Sequence, residues 1–173
     1  MNADELRAAQ APLKARYRTE PASAAIKLTA SGVPDAPTQT IRVETHLGSV
    51  DAGLHPATGG DGTKACSGDM FLQALVACAG VTLGSVATAM GITLRAGRIW
   101  AEGDIDFRGT LGVSRDVPVG FRDLHLHFDI DSDASPEAHQ RLIELSERYC
   151  VVYQTLKQPP AIQSSSNRAA GAP

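Results

Sequence analysis

The sequence predicts an α+β domain. Three observations carry this: one apolar stretch of helical length in the middle of the chain, short runs of period-two alternation on both sides of it, and a capped amphipathic helix near the end. The chain has 173 residues, 43% apolar and 20% charged, enough to bury the core of one ordinary domain. Sixteen Lys and Arg against nineteen Asp and Glu give a net charge of −3, which leaves no surplus to grip a phosphate backbone and argues against a nucleic-acid partner. The opening segment MNADELRAAQAPLKARYR is charged and has no apolar h-region, and no apolar run carries the flanks of a membrane span. The expected setting is cytoplasmic, with no membrane partner.

Leu6, Ala9, Leu13 and Tyr17 form an apolar stripe on a helix that Pro12 interrupts and Glu20-Pro21 ends. Residues 24–30 and 40–47 alternate with period two and read as two hairpin strands around a proline-rich loop at 32–37. Gly48 to Lys64 reads as turns. Beyond Ser67, apolar and small residues run to Met90 and predict one long helix over about 68–90, buried on nearly all sides, with Ser67 as N-cap and Gly91 as C′ glycine. It carries more apolar surface than the remaining elements can cover, so a second copy of the chain is expected against it. Strands are expected at 94–100, 103–110 and 119–130. Ser135-Pro136-Glu137 then opens a helix to about Arg148, and a shorter helical piece fills 149–158. The domain plan is a helical extension at 1–22, the folded domain at 23–158 and a flexible tail at 159–173.

The three cysteines are the reactive candidates, each a reduced thiol by default in such a setting. Cys78 lies within the apolar helix, where a cysteine is commonly an inert packing residue. Cys66, just ahead of that helix, reads as exposed. Nothing local distinguishes Cys150. Twelve residues of helix put Cys66 and Cys78 roughly 18 Å apart, beyond the ~7 Å reach of a disulfide, whereas nothing in the spacing forbids a meeting of Cys78 and Cys150. His125, His127 and Asp129 share one face of a strand, a set that can hold a metal but is more commonly a solvated face. The glycine loop at 59–62 lacks the Lys-Ser/Thr pair of a phosphate loop, and no GxSxG, HExxH or CxxC motif is present. Neither a metal nor a cofactor is predicted.

The run SGDMFLQALVACAGVTL at 67–83 resembles the central helix of the OsmC/Ohr family, in which an acidic residue and a Leu/Ala-rich stretch precede a cysteine. YCVVYQTLK at 149–157 is similar to the family's late cysteine segment, and the resemblance covers about residues 24–158. It implies an antiparallel sheet packed on a long buried helix, in an intertwined homodimer with the active site at the interface. It further implies a thiol peroxidase for organic hydroperoxides, with Cys78 as peroxidatic thiolate, Cys150 as resolving thiol, and a dithiol reductant such as a lipoylated protein. Peroxidatic members carry an arginine near the first strand, held by an acid at the start of the helix. Asp69 takes the acidic position, and Arg16, Arg18 and Arg42 are the arginines around that strand. The alternative is a family domain that binds a small apolar molecule or serves a stress response with little peroxidase activity.

Overall fold

A computed structural model describes residues 1–167. Helix α1 (Ala3–Thr19) is followed by strands β1 (Ser31–Asp35), β2 (Thr40–Thr45), β3 (Gly48–Gly53) and β4 (Ala65–Cys66). Helix α2 (Ser67–Met90), strand β5 (Leu94–Asp104), the single turn α3 (Phe107–Thr110), strand β6 (Asp123–Ser132), and helices α4 (Pro136–Tyr149) and α5 (Val151–Lys157) complete the chain. Two sheets result: β1-β2-β3-β4, antiparallel except for the parallel β3–β4 pair, and the antiparallel pair β5-β6.

α2 is the centre of the molecule. It touches β5, α4, α5, α1 and β4, and its residues Leu83, Val86 and Ala87 form the core with Leu142 of α4. Ile99, Phe128 and Ile130 of the two-stranded sheet close over that core. Gly91 ends the helix in the left-handed conformation at φ 70°, as expected of a C′ glycine, and its N–H returns to the carbonyls of Ala87 and Thr88. Gly103 has a different purpose: a Cβ there would lie 2.6 Å from the Phe121 ring. Its absence lets Phe121 reach across and stack on Phe71 in the first turns of α2, centroids 5.4 Å apart.

Several expectations are corrected. Helix α1 runs through Pro12, although a proline inside a helix costs about 3 kcal/mol. A reciprocal capping box between Asn2 and Glu5, both bonds 2.9 Å, and contact with α2 hold it. The first strand is not at 24–30 but at Ser31–Asp35, most of it within the loop expected at 32–37, with Pro34 tolerated because β1 is an edge strand. Gly48–Gly53, read as turns, is β3; it pairs with β2 from Ile41↔Ala52 to Thr45↔Gly48. α2 begins one residue early, with Cys66 at the N-cap and no side-chain cap from Ser67. The expected strands at 94–100 and 103–110 are one strand, because β6 pairs along it without a break from Ala96↔Asp131 to Asp104↔Asp123, and Phe107–Thr110 is helical. The third run starts at Asp123, not Val119. Residues 168–173 of the expected tail lie outside the described residues.

Candidate functional site: a paired thiol between the central helix and the α4–α5 corner

Ser135 starts α4 by accepting the Ala138 N–H at 3.2 Å, with Pro136 in the first turn. That helix ends at Tyr149, and the chain turns at Cys150 into α5. Gln154 ties the corner by donating its side-chain amide to the Glu147 carbonyl at 2.9 Å. Both helices pack on α2, and the corner therefore presents Cys150 to the middle of α2, where Cys78 sits. The two thiols are close enough to shift each other's ionisation, although 72 residues separate them in sequence.

The pair is unequal. Cys78 is partly exposed, whereas Cys150 is only 1% exposed. Burial pushes the Cys78 thiol up, but the Val152 N–H, the Cys150 thiol, the Val151 N–H and the Thr82 hydroxyl act on its sulfur and outweigh burial. Cys78 thus ionises below the ordinary cysteine value. The groups that lower it most are dipoles, not cations. At Cys150, burial pushes the thiol up, the Tyr153 N–H pulls it back, and the adjoining Cys78 sulfur pushes it up again, leaving it above the ordinary value. Among the described residues the well-formed hydrogen bond to a sulfur is that from Tyr153 N–H to Cys150 at 3.5 Å. The donors around Cys78 are looser and gain strength once the sulfur is charged. The favoured ionised state of the pair is a thiolate at Cys78 beside a thiol at Cys150.

Thr82 and the two valine amides were not anticipated from sequence. Thr82 had a signal, since it stands four residues after Cys78 on the same helix face. Backbone amides have none. Asp69 is exposed in the first turn of α2 and takes part in none of the ion pairs among the described residues. Arg42 is held by Asp51 at 2.9 Å, which Lys64 also reaches at 3.3 Å; Arg16 faces Glu20 at 3.9 Å, and Arg18 lies in the last turn of α1. Cys66 is half-buried rather than exposed. His127 stacks on Trp100, centroids 4.6 Å apart, and His125 faces Asp123 at 3.4 Å on the same outward side of β6. A hollow of about 350 Å³ between β2–β3 and the Gly59–Gly60 loop holds neither thiol of the pair.

The family model for OsmC-like proteins matches residues 60–165, a span that includes both cysteines. The chain belongs to the OsmC family. No curated protein matches it. Among solved structures, the OsmC-like protein of Mycoplasma pneumoniae is similar at 19% identity and TM-score 0.65, over 78% of this chain and 89% of that one. An organic hydroperoxide resistance protein from Elizabethkingia anophelis matches at 17% identity and TM-score 0.61, over 78% and 91%. The organic hydroperoxide resistance protein OsmC of Legionella pneumophila matches at 18% and 0.60, over 78% and 93%. At these identities the likeness carries the OsmC-like fold, an α+β arrangement of antiparallel strands packed on a central helix. Two of these three structures are named as organic hydroperoxide resistance proteins.

Proposed function

We propose that this OsmC-family chain is a cytoplasmic thiol peroxidase that reduces organic hydroperoxides, with Cys78 as nucleophile and Cys150 as resolving thiol. The observation that carries the reading is the unequal thiol pair: the partly exposed member ionises below the ordinary cysteine value, and the buried member beside it ionises above that value. The Cys78 thiolate attacks the distal peroxide oxygen; the O–O bond breaks, the alkoxide takes up a proton and leaves as alcohol, and Cys78 becomes a sulfenic acid. The Cys150 sulfur then attacks the Cys78 sulfur, expelling water and forming a disulfide before over-oxidation. An external dithiol supplies the two electrons that restore both thiols by exchange. The working unit is a homodimer, because α2 is apolar enough to cross a membrane, with mean hydropathy 1.8 over its most apolar window, yet only 22% of that window is buried within one chain. In the dimer, Asp69 would act indirectly, by orienting a cation toward the partner's thiol.

The second reading, a family domain that binds a small molecule without turnover, is favoured by the lack of a cation among the strongest influences on Cys78. Mass spectrometry with free thiols trapped, before and after cumene hydroperoxide, separates the two. A Cys78–Cys150 disulfide formed in step with peroxide loss supports the peroxidase; thiols unchanged in excess peroxide leave the binding domain. In Cys78→Ser, peroxide consumption with a dithiol should vanish, whereas Cys150→Ser should give one burst and a sulfenic or sulfinic product.

A further inference from the structure

Helix α4 stops at Tyr149 and α5 starts at Val151, and the one residue between them, Cys150, is extended at φ −74° and ψ 110°. A helix leaves its last carbonyls without partners, and each must find a donor elsewhere. Here the Cys150 N–H still closes on the Ser146 carbonyl at 3.0 Å. The next bond in that series would run from the Val151 N–H to the Glu147 carbonyl, four residues back, and no such bond is present among the described residues. The Glu147 carbonyl takes the side-chain amide of Gln154 at 2.9 Å instead, while the Val151 N–H acts on the Cys78 sulfur. Gln154 is half-buried, and its own N–H closes the first turn of α5 on the Cys150 carbonyl at 2.9 Å, so the side chain that crosses the corner starts from a fixed backbone.

We infer that Gln154 is a positioning residue for the thiol pair: by occupying the Glu147 carbonyl it leaves the Val151 N–H to the Cys78 sulfur and keeps α4 from running on through Cys150. The argument is one of hydrogen-bond accounting. Without the Gln154 amide, the Glu147 carbonyl and the Cys78 sulfur compete for one N–H, and an amide oxygen is a stronger acceptor than a thiol sulfur. The oxygen wins that competition, the corner straightens toward a continuous helix, and Cys78 loses a donor as Cys150 shifts from its place beside it. The consequence for turnover, which rests on the peroxidase reading, is that Gln154 speeds both the attack by Cys78 and the closing of the disulfide.

Iodoacetamide alkylation of Cys78 in the full chain, followed across pH by peptide mass spectrometry, tests this without peroxide chemistry. Gln154→Met keeps the length of the side chain and removes the donor; it should move the alkylation profile to higher pH and slow the reaction about fivefold below its midpoint, as expected for the loss of one neutral hydrogen bond to the thiolate. Val151→Pro removes the N–H itself, at a first helical position preceded by an extended residue, where proline is tolerated, and should slow alkylation by a similar factor. Because both changes act through the same N–H, Gln154→Met should add little in the Val151→Pro background. Ser135→Ala, which weakens α4 at its far end, should leave the profile in place. An unchanged profile in Gln154→Met, a further fivefold slowing on top of Val151→Pro, or an equal shift in Ser135→Ala overturns the inference. The peroxidase reading is decided separately by the Cys78–Cys150 disulfide with cumene hydroperoxide, so the two can fail independently.

Discussion

Thr82 stands one helical turn beyond Cys78 and is the one hydroxyl among the strongest influences on that sulfur. A hydrogen bond of this kind contributes about 1 kcal/mol, which corresponds to about fivefold in the thiolate equilibrium. Thr82→Val keeps the shape and removes the donor, so iodoacetamide alkylation of Cys78 at neutral pH should slow by about that factor. The sign of the pH dependence follows from the folded-state shift. Because the fold lowers the Cys78 pKa, its thiolate persists to lower pH than in the unfolded chain, and alkylation should be lost only as pH falls through that depressed value. Cys150, pushed the other way, should alkylate later and at higher pH; the reverse order would invert the two roles. At this scale the sequence was informative about side chains, since Cys78 and Cys150, singled out there, lie together in the fold. It was silent about the Val151 and Val152 amides, which act on the Cys78 sulfur only because the chain turns at Cys150.

At the scale of elements, helices that announce themselves by caps were read almost to the residue. Ser135 is such a cap: its hydroxyl accepts the Ala138 N–H at 3.2 Å and donates to Glu137 at 2.8 Å. Ser135→Ala should destabilise the protein by about 1 kcal/mol in urea unfolding, with the thiol pair still able to form its disulfide; a loss within error would mean that α4 is held by packing alone. Strands were read less well, because strand formation here depends on partners. Gly-Ser-Val-Asp-Ala-Gly at 48–53 has little intrinsic β preference, yet its register against β2 and the Arg42–Asp51 ion pair make it β3. Conversely, the alternation of residues 24–30 finds no partner strand, and Ile26 and Leu28 remain 76% and 84% exposed. Gly103 looked like the start of a new strand, but it is the point where Phe121 needs room.

For the whole molecule, the placement of exposed apolar surface is the governing fact. Val81 on α2 is 74% exposed, and Val33 and Leu47 in the β1–β3 meander are 69% and 89% exposed. The meander reaches the rest of the chain chiefly through β4 against α2. A second copy that covers α2 and the meander would account for both, and multi-angle light scattering should return twice the chain mass at micromolar concentration. A monomer there would refute this. Such a partner could not be placed from the sequence, because helix periodicity marks which faces are apolar and not which of them belong to another chain.

The two-stranded sheet has a spectroscopic consequence. Ile99 faces the core, so its neighbour Trp100 points to the opposite side of the sheet, against His127 and under the Arg98 guanidinium at 5.5 Å. Trp100 is the chain's single tryptophan. Its emission therefore watches the outer surface of β5–β6 and is screened from the sulfur chemistry by the strand that carries it. Stepwise addition of peroxide should leave the emission maximum in place while the thiol count falls, and urea should shift it red as the sheet opens. One fluorophore would then distinguish an oxidised folded protein from an unfolded one; a red shift during oxidation alone would mean that closing the disulfide loosens the sheet.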